Sequence, residues 1–207
     1  MKKIAILGCG PAGLLAAHAS AINGCDFQIF SKKRQSPLFG CQYLHAPVIG
    51  ITTEPERVRY SLVGSVDGYR RKVYGSDSVA EVSPESLSKD HDAYDIRSAY
   101  QELWRRYSDQ IVNLEIYGLK DLQQFIRLEK YDEIISTIPR KVWKEPGDEF
   151  LSQKVWAIGD APKLDQEAPF RPAEVITVIC DGTTDVGWYR LSQVFGYATV
   201  EWPERRR

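Results

Sequence analysis

Gly8, Gly10 and Gly13, with Cys9, Pro11 and Ala12 between them, form a G-x-G-x-x-G run near the amino terminus. The chemistry open to such a run is anion binding. Gly8 permits a tight turn, Gly10 lets the backbone approach a pyrophosphate, and Gly13 lets a helix pack closely against a strand. The anion then rests on free N–H groups at a helix N-terminus, where the helix dipole favours negative charge. Pro11 suits a first helical turn because its missing N–H costs little there. The expected cofactor-binding set therefore begins with Gly8, Gly10, Pro11, Ala12 and Gly13.

These residues need a strand before them and a helix after them, and the flanking sequence supplies both. Ile4, Ile6 and Leu7 make a short apolar strand. Leu14, Leu15, Ala17, Ala21 and Ile22 fill a helix that Gly24 can end, and Phe27 to Phe30 form a second strand. Met1-Lys2-Lys3 and Ala19-Ser20-Ala21 mimic a secretory signal, but the glycines, Pro11 and His18 interrupt its apolar core. Ser31 ends the second strand, 18 residues after Gly13, where an acidic residue normally holds the ribose hydroxyls. Ser31 followed by Lys32, Lys33 and Arg34 suits the 2′-phosphate of NADP; a basic loop capping the sheet edge is the other reading.

Further candidates lie outside this unit. Residues 35–53 are too apolar to be a solvated linker, and Gly40 and Gln42 within them are placed to approach a cofactor. Tyr43 and His45 can orient a substrate or shuttle a proton, although His45 beside Ala46-Pro47 would equally hydrogen-bond a turn. Arg190, flanked by Trp188 and Tyr189, can clamp a carboxylate or phosphate or make an interstrand salt bridge. Cys9, Cys25, Cys41 and Cys180 show no C-x-x-C pair, and His18, His45 and His91 are scattered, so no metal site is expected. Reduced cysteines and a cytoplasmic location are the corresponding expectation.

The whole chain has 207 residues, 43% of them hydrophobic, and a net charge of -1. That balance argues against wholesale nucleic-acid or membrane adsorption, and no segment offers the roughly 20 apolar residues of a membrane span. Period-two alternation from Arg57 to Tyr74, with a turn near Asp67-Gly68, predicts an antiparallel hairpin. Arg57, Arg59, Arg70, Arg71 and Lys72 make it basic, while Asp77, Glu81, Glu85, Asp90, Asp92 and Asp95 make the next stretch acidic. The two stretches either pair or leave a basic face for an anionic substrate, DNA included. A helix is predicted over Ile96 to Tyr107, a strand over Ile111 to Tyr117, a short helix over Asp121 to Leu128 and a buried strand over Tyr131 to Pro139. Strands follow at Val155 to Asp160, Val175 to Cys180, Val186 to Phe195 and Tyr197 to Trp202. The fold class is α/β: a Rossmann-like FAD/NAD(P)-binding sheet over 1–53 and 96–145, with an inserted antiparallel β-sheet substrate region over 54–95 and 146–207.

The glycine loop, the YDEIISTIP stretch and the strand pair containing Gly187-Trp188-Tyr189-Arg190 together resemble the flavin-dependent amine oxidase and UDP-galactopyranose mutase group. The resemblance implies FAD in a Rossmann-like domain and a substrate site on an inserted antiparallel sheet. It matches Thr137 and Pro139 to the turn near the cofactor. It matches Gly159-Asp160 to the motif whose Asp binds the ribityl-phosphate linker, although Ala161-Pro162 follows here instead of a helix. The chain also resembles short flavoprotein-like reading frames of bacteriophages that modify thymine in DNA.

The leading expectation is an FAD-dependent oxidoreductase acting on a small amine or polar substrate, with His45, Tyr43, Tyr189 and Arg190 as catalytic candidates. The alternatives are an NADP-dependent reductase, a non-catalytic dinucleotide-binding protein, and a flavin enzyme of phage DNA base modification. Exposed aromatic strands in a short chain predict a homodimer.

Overall fold

A computed structural model describes residues 1–40, 42–52, 54–76, 79–118, 130–139, 155–159 and 176–203. In chain order, β1 (Lys3–Leu7), α1 (Pro11–Ile22) and β2 (Asp26–Ser31) are followed by β3 (Glu56–Gly64), α2 (Val66–Tyr74), β4 (Asp90–Ala93) and α3 (Ile96–Tyr107). Then come β5 (Ile111–Asn113), β6 (Glu133–Ser136), β7 (Val155–Gly159), β8 (Thr177–Gly182), β9 (Arg190–Val194) and β10 (Tyr197–Pro203). The chain divides into two units. The first comprises Met1–Pro37, Val48–Ile51 and Ile96–Leu151, and the second Leu38–Pro47, Thr52–Asp95 and Ser152–Arg207.

In the first unit, four parallel strands run in the order β5-β2-β1-β6. Ile4 to Leu7 are all buried, the continuous apolar run of a strand covered on both faces. The chain steps outward from β1 to β2 to β5, then returns to place β6 on the opposite side of β1. Ligands of open α/β sheets bind beyond the carboxyl ends of the strands at such a reversal, and the glycine loop leaves β1 there. Ala5, Leu7 and Phe30 form a cluster against Leu114, Ile116, Tyr131 and Ile138, with the Phe30 and Tyr131 rings edge-on at 5.8 Å. Complete burial of Ile6, Leu7, Leu14 and Ile29 contributes about 1.5–3 kcal/mol each. The observed α3 spans the predicted residues, with Ala99, Tyr100 and Leu103 on its buried side. β5 ends at Asn113, before the predicted Tyr117. The helix expected over Asp121 to Leu128 lies outside the described residues.

The second unit holds a six-stranded mixed sheet in the order β4-β3-β8-β9-β10-β7. β3 and β8 pair parallel, whereas the other neighbours are antiparallel. β9 and β10 join through Phe195 and Gly196 at φ 53° and 73°, as a two-residue type I′ hairpin turn requires. The predicted hairpin from Arg57 to Tyr74 is instead a strand followed by a helix. Ser65 caps α2 by accepting from the Gly68 N–H, and Val66, Tyr69 and Val73 share the spacing of one helical face. A Cβ on Gly68 would stand 2.0 Å from the Gly182 carbonyl oxygen, so the helix packs hard against β8. Among the described residues no helix is long and apolar enough to cross a membrane.

Candidate dinucleotide site

The glycine loop has the geometry that its spacing predicts. Gly8 sits at φ +102°, and a Cβ there would lie 2.6 Å from Thr137 Oγ1. A Cβ on Gly13 would come 2.0 Å from the Gly8 carbonyl oxygen, so α1 rests on the strand end without a side chain between them. At Gly10 the opposite holds: an added Cβ meets nothing within 4 Å among the described residues. Gly10 is the N-cap of α1, with no side-chain cap and no acidic residue in the first turn. Among the described residues nothing caps the N–H groups at this positive helix end, which fits a diphosphate. Thr137, matched by resemblance to the cofactor-proximal turn, donates from both N–H and Oγ1 to the Leu7 carbonyl at 2.8 Å and holds the end of β1.

Two side chains fasten this loop to the segment after β2. The buried Tyr100 hydroxyl donates to the Cys9 carbonyl at 3.0 Å and accepts from the Ser36 N–H at 3.1 Å. Burial raises the Tyr100 phenol above its usual value, so the hydroxyl stays protonated as this donation requires. The Cys9 thiol lies 3.4 Å from the Lys32 carbonyl and 3.5 Å from that of Arg34.

A cavity of about 230 Å³ opens beyond the ends of β2, β5 and β6. Ser31, Lys32 and Arg34 line it together with Leu114 to Tyr117, Ile138 and Pro139. Across it Lys32 Nζ pairs with Glu115 Oε1 at 2.5 Å, while the Tyr117 hydroxyl donates to Glu115 Oε2 at 2.6 Å. These two partners, Lys32 first, hold the Glu115 carboxyl below the usual carboxylate range. Lys33 faces Asp109 at 3.7 Å. The chain thus has a carboxylate in the cavity, but it comes from the segment after β5. Nothing in the local sequence near Ser31 announces it.

The catalytic candidates fall into two groups within the second unit. Tyr43 and His45 lie together, rings edge-on at 4.8 Å, and the Tyr43 hydroxyl donates to Tyr60 at 2.8 Å. His91, which the sequence reading did not single out, stacks edge-on with Tyr60 at 4.7 Å and stands 6.0 Å from His45. Tyr189 and Arg190 are instead built into the sheet. Arg190 faces Glu201 in the β9–β10 register, with Nη1 3.4 Å from Oε2, and its Nη2 donates to the Tyr69 hydroxyl at 2.9 Å. The Tyr189 hydroxyl donates to Glu201 Oε2 at 2.7 Å, and burial raises the phenols of both Tyr69 and Tyr189. Gly40 lies over the same carboxylate, since a Cβ there would be 2.8 Å from Glu201 Oε1. Gln42 is exposed. Gly159 ends β7 opposite Thr199, and Asp160 lies outside the described residues.

The basic stretch is matched by acids. Arg57 pairs with Asp92 at 2.7 Å and Arg59 with Asp90 at 3.3 Å across β3 and β4. Arg70 and Arg71 both reach Asp67, and Lys72 reaches Asp181 at 2.6 Å. Among the described residues no cluster of His, Cys, Asp and Glu could hold a metal ion.

No family model matches the sequence, and neither does any curated protein. Solved structures do align with the chain. Reduced UDP-galactopyranose mutase aligns with a TM-score of 0.57 at 12% identity, over 100% of this chain and 75% of its own. The tetrameric form of 2-methyl-3-hydroxypyridine-5-carboxylic acid oxygenase gives 0.44 at 14% identity, over 100% of this chain and 60% of its own. A protein of Photorhabdus luminescens subsp. laumondii TTO1, assigned as an FAD-containing monooxygenase, gives 0.39 at 10%, over 98% of this chain and 62% of its own. The mutase carries the comparison: this chain has that mixed α/β architecture, a parallel sheet with a glycine loop plus a second, mixed sheet.

Proposed function

We propose that the chain binds FAD at the α1 N-terminus and acts as a flavin-dependent oxidoreductase on a small amine or other polar substrate. The observation that supports this reading best is the uncapped helix end with open space at Gly10. An anion is the group that such an end lacks. In this reading the free N–H groups at the start of α1 hold the diphosphate, and the cavity at Ser31 and Lys32 takes the adenosine end. The fold shared with the mutase is consistent with that placement. Bound flavin supplies the two-electron redox step. What the chain then has to supply is orientation and proton handling. Tyr43 and His45, joined by Tyr60 and His91, are the groups proposed to place a substrate and move its proton. The amine-like substrate class rests on the sequence resemblance.

Purified chain should be yellow, with flavin absorption bands, and should release FAD on denaturation, identified by mass spectrometry. Colourless protein that also fails to bind added FAD refutes the reading. FAD retained without turnover of any amine or reductant points to a non-catalytic binding protein.

A further inference from the structure

Resting on the dinucleotide reading above, we infer that Glu115 is the residue that recognises the adenosine ribose, and that its carboxylate makes the cavity select an unphosphorylated 2′-hydroxyl. The strand that usually ends in an acid ends here in Ser31, whose register partner on β5 is Asn113. Glu115 stands two residues beyond that partner and Lys32 one beyond Ser31, which brings both side chains to the same cavity. Each carboxylate oxygen already accepts one hydrogen bond, from Lys32 and from Tyr117. An ionised carboxylate has about four acceptor positions, so lone pairs remain for a ribose diol. The two side chains are about half exposed, at 53% and 44%, and a ligand can reach them.

The same pair removes the basis for choosing a 2′-phosphate. The cation best placed for that phosphate is committed to Glu115, and Lys33 faces Asp109. A phosphate entering between Lys32 and Glu115 would meet a carboxylate of its own sign. Arg34 is the other cation lining the cavity, so loss of the Glu115 charge should leave two cations facing the ligand.

The test titrates the full chain, stripped of any bound nucleotide, with ADP and with 2′-phosphorylated ADP by calorimetry. Wild type should bind ADP about tenfold or more tightly than the 2′-phosphorylated form. Glu115→Gln keeps the shape and removes the charge; ADP affinity should fall about tenfold and the preference should reverse. Lys32→Met keeps the carboxylate and should keep the ADP preference. Circular dichroism of each variant checks that the fold is retained. If Glu115→Gln leaves the ratio of the two affinities unchanged while ADP still binds, the inference is overturned and the dinucleotide reading stands. If wild type binds neither ligand, both fall.

Discussion

Alanine at Gly13 and alanine at Gly10 should fail in different ways, because the two glycines face different things. At Gly13 a Cβ would stand 2.0 Å from the Gly8 oxygen, 2.8 Å from the Gly8 carbonyl carbon and 3.0 Å from Thr137 Oγ1. Carbon and carbonyl oxygen pack at about 3.3–3.6 Å, so α1 would have to retreat from the glycine turn by more than about 1 Å. Both nearest atoms are backbone and cannot swing away. Overpacking of this kind costs about 3 kcal/mol or more at such a short contact, against about 1 kcal/mol that alanine gains over glycine in a helix. The net loss of about 2 kcal/mol should lower the Tm by about 4–8 °C in a chain of this size. At Gly10, φ is -69° and ψ is -179°, a conformation open to any residue, and no described atom lies within 4 Å of the added carbon. Gly10→Ala should therefore cost only about 0.5–1 kcal/mol, the difference between glycine and alanine at an N-cap. It should weaken FAD and ADP binding by at least about tenfold, because the methyl occupies the approach of the diphosphate. Thermal unfolding of the nucleotide-free chain and calorimetric binding read the two effects separately. Gly10→Ala that destabilises as much as Gly13→Ala and still binds nucleotide would refute the reasoning and make the loop a packing device.

Tyr100→Phe removes a buried hydroxyl that serves both the Cys9 carbonyl and the Ser36 N–H. A loss of about 1–2 kcal/mol in urea unfolding, together with weaker ADP binding, is expected, and unchanged binding would detach Tyr100 from the site. His18 is buried with Nε2 2.7 Å from the Ile49 carbonyl, which can only accept, so that nitrogen carries the proton in the neutral ring and Nδ1 accepts from Tyr107 at 2.8 Å. Tyr107→Phe should cost about 1–2 kcal/mol by stranding Nδ1, and a neutral effect in chemical denaturation would count against that hydrogen bond. Burial pushes the Asp181 carboxyl up, but the Lys72 ammonium and the Thr183 N–H and hydroxyl outweigh it and leave it below the ordinary value. A carboxyl depressed by folding stabilises fully above its unfolded value near pH 4, and that contribution disappears as pH falls through the folded value. The urea midpoint should accordingly fall less steeply with acidification below about pH 4 in Asp181→Asn than in wild type, and parallel curves would count against the assignment.

What was legible in the sequence was whatever is local. The run from Lys2 to Ser31 carries its own strand, turn and helix signals, and α3 follows from Ile96, Ala99, Tyr100 and Leu103 at helical spacing. The helix α2 was misread because the alternation of Val58, Tyr60 and Leu62, genuine in β3, continues by coincidence through Tyr69, Arg71 and Val73. Val66, Tyr69 and Val73 also fit a helical face, which Arg71 does not share, and Gly64 at φ +80° ends the strand. The pairing of Arg190 with Glu201 was within reach: counting outward from a two-residue turn at Phe195-Gly196 places them opposite each other. Glu115 was not, because its meeting with Lys32 depends on β5 lying beside β2, a register fixed by the sheet rather than by neighbouring residues.

The chain builds a close strand-to-helix junction twice, and the difference between the two bears on function. At α2, Gly68 and Gly182 let helix and strand backbones touch, as Gly13 and Gly8 do at α1. The α2 end is then satisfied from within: Ser65 Oγ accepts from Gly68 N at 3.0 Å, and Asp67 places a carboxylate in the first turn. At α1 the described residues offer neither. Glycine in place of a serine cap forgoes only a few tenths of a kcal/mol. A ligand held at a hundred times its Kd contributes about 2.7 kcal/mol, so an open helix end costs little in the free chain and is more than offset once a diphosphate occupies it. Close packing alone would be served by either junction, and α1 differs from α2 in that the described residues give its N-terminus no cap, the setting that suits the proposed diphosphate.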